Sequence, residues 1–463
     1  MFKRQSKTDP SSQQVVVEFD PDQWVNNLNR TALKKTIKKM ENDKNMAAEV
    51  PIAVKAQWKE GVVTGVNGKL VCYAPPDIQM SSDGKTKGPS VNSYCPLIAG
   101  GCFVLILMMH ATKKDYHFEE VTANMKTDAD VVGFYKEGWA GMKTKDGYIV
   151  KHPWGGADGI RLGIVIRSGK SQDKLNDLAD HANKHCPSSE MMKRDFPVEV
   201  DKFALQGQND EEDAIDWDKV PVFYNMDKYQ EIAKKDSHVV TQEANMTWHL
   251  DNDALADNTE ADAGALMTFD FPQDSKSSLT LGFDPPIGQQ GPYANPVQAC
   301  FFGGLSSFMH TIACRIYAKG YKVTKIDGVI NTKLNKRKVL GVEKDTWVFP
   351  VGASIEVDIV SNAPKELLHE IQMEAENMSP TMMNWREELP FFYGVARAKP
   401  RHKRIKPQRV MKDGDLCGSE GDSATGSSSA SSSGGSSGGS SSKGIARVMK
   451  FFWKLSTANG AGP

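Results

Sequence analysis

Neither sign of charge predominates in this chain of 463 residues. Its 57 basic side chains face 58 acidic ones, for a net charge of −1. A surface so balanced is not built to hold a polyanion, so nucleic acid is not an expected partner, and only local patches stay open to that role. Cysteine is scarce. Seven thiols are too few, and one too many, for a disulfide framework, which points to a reduced, cytoplasmic setting. Long apolar runs are missing as well. The longest, Leu97 to Met109, has thirteen residues, short of the ~18–20 that a bilayer span needs. Pro96 precedes it and His110, Lys113 and Lys114 follow, which suits a buried helix. The first residues lack the apolar stretch of a secretory signal, and Glu18, Asp20 and Asp22 come too early for a basic transit peptide. Gly155-Gly156 and Gly303-Gly304 make no phosphate loop. Among ten histidines the one suggestive spacing is His181 and His185, four apart beside Cys186. It reads either as a His-His-Cys metal face or as two surface histidines on a helix. The surface pair is the expectation, so no metal or other cofactor is expected.

What is present is core material. Hydrophobic residues make up 39% and charged residues 25%, enough to bury two or three domains at ~150 residues each. Composition divides the chain into six stretches. Residues 1–49 are a polar arm with a helical pattern from 26 to 47. Residues 50–199 read as one domain, and 200–236 as a connector with acids at Asp210, Glu211, Glu212, Asp213, Asp216 and Asp218. Residues 237–397 read as a second domain. Residues 398–444 are first basic, then almost wholly Ser, Gly and Ala, as in a flexible linker. In 445–463, Ile445, Val448, Met449, Phe452 and Trp453 recur at helical spacing between Arg447, Lys450 and Lys454.

The two domains repeat one order of elements. Each begins with a strand ending in tryptophan, Ile52 to Trp58 and Gln242 to Trp248. Each continues with a second strand, Gly68 to Tyr73 and Gly264 to Phe269. A Gly-Pro loop (Gly88-Pro89, Gly291-Pro292) then leads to a long buried helix. The second of these helices carries its own punctuation: Asn295 as N-cap, Pro296 at the first helical position and Gly320 as the stop. The first runs from about Ser93 to Thr112. Strands follow in both halves, Phe118 to Met125 and Thr324 to Asn331, then Arg161 to Ile166 and Ser354 to Val360. A second helix closes each half. Leu175, Leu178 and Ala182 align without a gap with Leu368, Ile371 and Ala375, and both helices stop before a proline, at Cys186-Pro187 and Ser379-Pro380.

This order, with a cysteine inside the central helix and a Cys-Pro turn, resembles the OsmC/Ohr family of osmotically inducible and organic-hydroperoxide-resistance proteins. The resemblance implies an α+β fold of two tandem domains. Their antiparallel sheets would wrap around buried central helices and pack as an intramolecular pseudo-dimer, so that the chain is a monomer. It also implies a thiol peroxidase that uses an organic hydroperoxide and a dithiol reductant. On that pattern Cys102 is the attacking thiol, Cys186 the resolving thiol and Lys59 the activator, at a position where the family has arginine. The corresponding residues of the second half are Ser307, Ser379 and His249, which leaves that half without a redox pair. The family's glutamate position reads Asn92 and Val297.

Read without the resemblance, Cys102 in Gly-Gly-Cys-Phe-Val-Leu is as readily a packing residue. Cys95 and Cys300, seven residues before the attacking positions, read as core, as do Cys72 and Cys314, and Cys417 reads as an incidental thiol. The second functional reading is therefore a catalytically silent OsmC-like protein that binds an apolar ligand or a partner. The basic strip from Arg397 to Lys412 reads as a solvated tail opposite the acidic connector. The C-terminal amphipathic helix suits an anionic membrane surface or a protein partner, or it docks on its own domain.

Overall fold

A computed structural model describes residues 24–43, 49–65, 68, 70–75, 78, 89–130, 132–136, 159–206, 215–236, 238–250, 265–272, 277–283, 294–386 and 391–400. The acids at 210–213, the basic strip beyond residue 400, the Ser/Gly segment and the amphipathic stretch 445–463 lie outside them, as do Cys417 and the side chains of Asn92 and Cys95.

The first half runs β1 (Trp24–Val25), β2 (Leu28–Asn29), α1 (Arg30–Asn42), β3 (Glu49–Lys59), β4 (Val62–Gly65), β5 (Leu70–Tyr73), α2 (Val91–Lys113), β6 (Glu120–Asp130), α3 (Val132–Tyr135), β7 (Ile160–Arg167), α4 (Gln172–His185), α5 (Pro187–Lys193) and β8 (Val198–Gln206). The second half runs α6 (Met226–Ala233), β9 (Val239–His249), β10 (Ala265–Phe271), β11 (Ser277–Phe283), α7 (Pro296–Ala318), β12 (Val323–Asn335), α8 (Lys336–Val339), β13 (Ala353–Ser361), α9 (Leu368–Met378), α10 (Pro380–Arg386) and β14 (Phe391–Ala398). The composition is α+β. The stretch 200–236 that reads as a connector holds most of β8 and all of α6.

The expectation that each half wraps its own sheet does not hold. Two six-stranded sheets form, ordered β5-β4-β3-β12-β13-β8 and β11-β10-β9-β6-β7-β14. In the first, β3 of one half pairs antiparallel with β12 of the other, from Glu49↔Asn335 to Lys59↔Lys325. In the second, β6 pairs antiparallel with β9, from Val121↔Trp248 to Asp130↔Val239. Nor are the sheets purely antiparallel, because β8 lies parallel to β13 and β14 parallel to β7.

Both long helices have 23 residues and are apolar on nearly every face, the pattern of a helix covered all round. α7 packs on β3 and β12, α2 packs on β9 and β6, and the two pack on each other. α7 is long and apolar enough to cross a membrane, which the count of apolar runs did not reveal, and 89% of its apolar window is buried inside the protein. Its ends form as read: Asn295 accepts from Gln298 N at 2.9 Å, Gln298 returns the bond at 3.1 Å, and Gly320 takes a positive φ of 84° just past the helix.

The exchange extends to the strand-end tryptophans. Trp58 Nε1 donates to Tyr224 Oη at 2.6 Å, and Tyr224 belongs to the segment before the second half. Trp248 Nε1 donates to the carbonyl of Asn26, before the first half, at 3.0 Å. Each buried indole N–H is thus satisfied by the arm of the opposite half, which avoids the ~1–3 kcal/mol cost of an unpaired buried donor.

Candidate active site

Cys186 sits at a double cap. Its backbone N–H donates to the carbonyl of Ala182 at 2.8 Å and closes α4. Its Sγ accepts from Ser189 N at 3.4 Å and opens α5, with Pro187 at the first position. Serine, threonine or aspartate usually does this capping work; here a thiol does, and the turn fixes where its sulfur points. Cys102 comes from the middle of α2. Both residues are fully buried, and the two thiols are joined by a side-chain hydrogen bond.

Burial alone would push the Cys102 thiol up, because it disfavours the thiolate. Hydrogen bonds from Cys186 and from the side chain and backbone of Ser188 outweigh that and bring it below the ordinary value. Burial drives Cys186 well above the ordinary value, and its bond to Cys102 and the charge there add to the rise. The pair is therefore asymmetric: hydrogen bonding favours the thiolate at Cys102, and burial disfavours it at Cys186.

The structure does not bring Lys59 to this pair. Lys59 is exposed at the end of β3, and β3 packs on α7, whereas Cys102 belongs to α2 under the other sheet. Lys193, the last residue of α5, is linked electrostatically to Cys186. It is half-buried, with its ammonium 5.4 Å from the Phe391 ring centre and 5.9 Å from that of Tyr393. Burial lowers its pKa, against the opposing pull of Cys186 and Glu190. Sequence reasoning missed it because it looked for the activator beside the first strand. The signal was in the closing helices, where Lys193 aligns without a gap with Arg386.

In the second half Ser307 Oγ lies 3.2 Å from Ser379 Oγ, both fully buried. The same two positions therefore meet in each half, as sulfurs in one and as hydroxyls in the other. His249 spends its Nε2 on Thr268 Oγ1 at 2.8 Å, and Val297 is part-buried beside the cap of α7. Cys72, Cys300 and Cys314 are buried.

The pair His181 and His185 is neither a metal face nor a surface pair. His181 stacks on His110 of α2, and His185 is buried with Nδ1 2.7 Å from the carbonyl of Lys338. Among the described residues, no cluster of three His, Cys, Asp or Glu side chains suits a metal ion. A buried polar chain also escaped the sequence reading. Trp58 donates to Tyr224, whose hydroxyl therefore donates to His310 Nδ1. Burial lowers the His310 pKa to about 3.

Residues 84–201 match the family model of OsmC-like proteins, a segment that spans α2 to β8 and contains both Cys102 and Cys186. No curated protein matches the chain.

Proposed function

Given an OsmC-like domain at residues 84–201, we propose that the protein is a thiol peroxidase with a single working centre, carried on an internal pseudo-dimer of two OsmC-like halves. The observation that carries this reading is the hydrogen-bonded thiol pair Cys102–Cys186, set against a hydroxyl pair at the corresponding positions Ser307 and Ser379. The sharing of both sheets between the halves supports the pseudo-dimer, since neither half completes a sheet alone.

The chemistry follows from the asymmetry of the pair. The Cys102 thiolate attacks the terminal oxygen of an organic hydroperoxide. The O–O bond breaks, Cys102 becomes a sulfenic acid, and the departing alkoxide takes a proton to leave as alcohol. Cys186, still a thiol, attacks the sulfenic sulfur, forms the disulfide and releases water. A dithiol reductant returns both residues to thiols. Lys193, linked electrostatically to Cys186, supplies positive charge on the side of the resolving thiol. The serine pair has no such cycle, because a hydroxyl is not oxidised to a sulfenic acid.

A second reading, a catalytically silent protein that binds an apolar ligand or a partner, is favoured by the complete burial of both sulfurs and by the positions where the family has arginine and glutamate. Mass spectrometry separates the two. One equivalent of an organic hydroperoxide should remove two hydrogens from the intact chain and link Cys102 to Cys186. Cys102→Ser should abolish peroxide consumption, and Cys186→Ser should stop at a sulfenic acid on Cys102. The double variant Ser307→Cys/Ser379→Cys should acquire a second disulfide under the same treatment. Cys102 unmodified after excess peroxide would exclude the enzyme and leave the silent reading standing.

A further inference from the structure

Cys102 and Cys186 are fully buried, so no reagent meets them while the fold stays closed. Part of their cover comes from the far end of the chain. β14 follows the second half but pairs with β7 of the first, from Phe391↔Ile160 to Ala398↔Arg167, and it is the last strand of its sheet. Its opening residues lay two rings on Phe103, the neighbour of Cys102. The Phe391 ring stacks there at 5.7 Å between centroids, and the Tyr393 ring at 5.1 Å. Lys193, at the end of the helix that Cys186 caps, lies over the same two rings. Phe392, between them, is exposed.

The two ends of β14 are held differently. From Val395 onward the strand is clamped to the start of α4. Gln172 Nε2 donates to the Val395 carbonyl at 2.7 Å, and its Oε1 accepts from Arg397 N at 3.0 Å. Arg397 Nε donates to the carbonyl of Ser168 at 3.2 Å. Before Gly394, beside the ladder to β7, the strand is held by its rings and by Tyr393 Oη, which donates to Asp180 at 3.0 Å on the exposed side. Between the two ends, Gly394 faces Gly163, so no side-chain pair fastens the strands at that level, and the glycine backbone turns freely. The corresponding strand of the other half shows a firmer start. β8 begins five residues after α5, as β14 does after α10. There Arg386 Nη2 donates to the main-chain carbonyl of Val198 at 3.2 Å. At the corresponding positions in the thiol half, Lys193 lies over the ring of Phe391.

We propose that Phe391, Phe392 and Tyr393 form a strap over the thiol pair, which swings out about Gly394 while the rest of β14 stays clamped, and that this opening admits small molecules to Cys102 and Cys186. The second half, whose own pair is two hydroxyls, thereby controls access to the thiols of the first. Opening gives up a few ladder bonds at a sheet edge, the Tyr393–Asp180 bond and the stacking on Phe103, and it leaves both core helices in place. It is a local event, well below global unfolding in cost. The strap does not depend on peroxidase activity, since any small thiol reagent meets the same cover.

The test labels the reduced full chain with N-ethylmaleimide under native conditions and follows each cysteine by peptide mass spectrometry. Cys314, fully buried in α7, reports global unfolding. Cys102 and Cys186 should label faster than Cys314. Low concentrations of urea should speed Cys314 steeply and the thiol pair only slightly, because the strap exposes little surface. Tyr393→Phe, which removes the bond to Asp180, should speed labelling of the pair by about two- to tenfold, the scale of one hydrogen bond. Lys193→Arg keeps the charge and offers Phe391 the main-chain bond that Arg386 gives Val198, and it should slow the pair. Labelling of the pair at the rate of Cys314 and with the same urea dependence would overturn the proposal, because access would then need the whole fold to open. Fast labelling that Tyr393→Phe leaves unchanged would overturn it too, by placing the entrance elsewhere.

Discussion

Gly304 has no room for a methyl group. A Cβ placed on it would fall inside the van der Waals envelope of Cη2, Cζ2 and Cζ3 of Trp385. The indole is fully buried, and aromatic rings hold it, Phe196 at 6.0 Å and Phe301 at 5.7 Å between centroids. It has no free direction in which to swing. In a helix interior, glycine to alanine gains ~1 kcal/mol. Overpacking a filled core costs ~1–3 kcal/mol, and a ring clamped in this way sits at the upper end. Gly304→Ala should therefore destabilise the protein by about 1–2 kcal/mol. The first half contains the alternative solution at the corresponding positions, Ala99 with Met192. Trp385→Met alone should cost about 2–3 kcal/mol through lost packing. Combined, the two substitutions rebuild the pair of the first half, and their costs should fall short of additive by about 1–3 kcal/mol. Equilibrium urea unfolding in reducing buffer, followed by far-ultraviolet circular dichroism, reads all four corners of the cycle. A Gly304→Ala protein stabilised by the full propensity gain, or strictly additive costs, would refute the steric argument.

Two further outcomes are expected. Tyr224→Phe removes both the acceptor for Trp58 Nε1–H and the donor to His310 Nδ1; with ~1–3 kcal/mol for each buried group left unpaired, the urea midpoint should fall by the equivalent of ~2–4 kcal/mol, and an unchanged midpoint would mean that the chain of bonds contributes nothing. His310 has its folded pKa depressed to about 3 against ~6.5 in the unfolded chain, so its contribution is complete above pH ~6.5 and is lost at ~1.4 kcal/mol per unit as pH falls toward 3; urea unfolding from pH 7 to 4.5 should show this slope reduced in His310→Asn, and identical slopes in the two proteins would show that the ring protonates freely in the fold.

Much of the architecture is legible in short patterns. The cap at Asn295, the prolines at 187, 296 and 380, and the all-round apolar composition of α7 each act within one or two turns of their own residue. The meeting of Cys102 with Cys186 could be anticipated only through the family resemblance, because they lie on different elements and nothing between them marks the contact. Lys59 illustrates the opposite failure. It stands directly after Trp58 in sequence, but the strand's alternation turns Trp58 into the core and Lys59 out to solvent.

Element identity was set by residue type and periodicity, since helix and strand formation depend on neighbours three or four, or two, residues away. Partnership was decided by the tertiary structure. The antiparallel pairing of β3 with β12 joins residues some 270 positions apart, such as Gln57 and Asp327 at 2.7 Å, and no local pattern records which half a strand will join. The same holds for the two parallel edge strands and for the histidine stack. Each arises where elements from separate parts of the chain close on one another, and charge and burial there depend on the neighbour that arrives rather than on the residue itself.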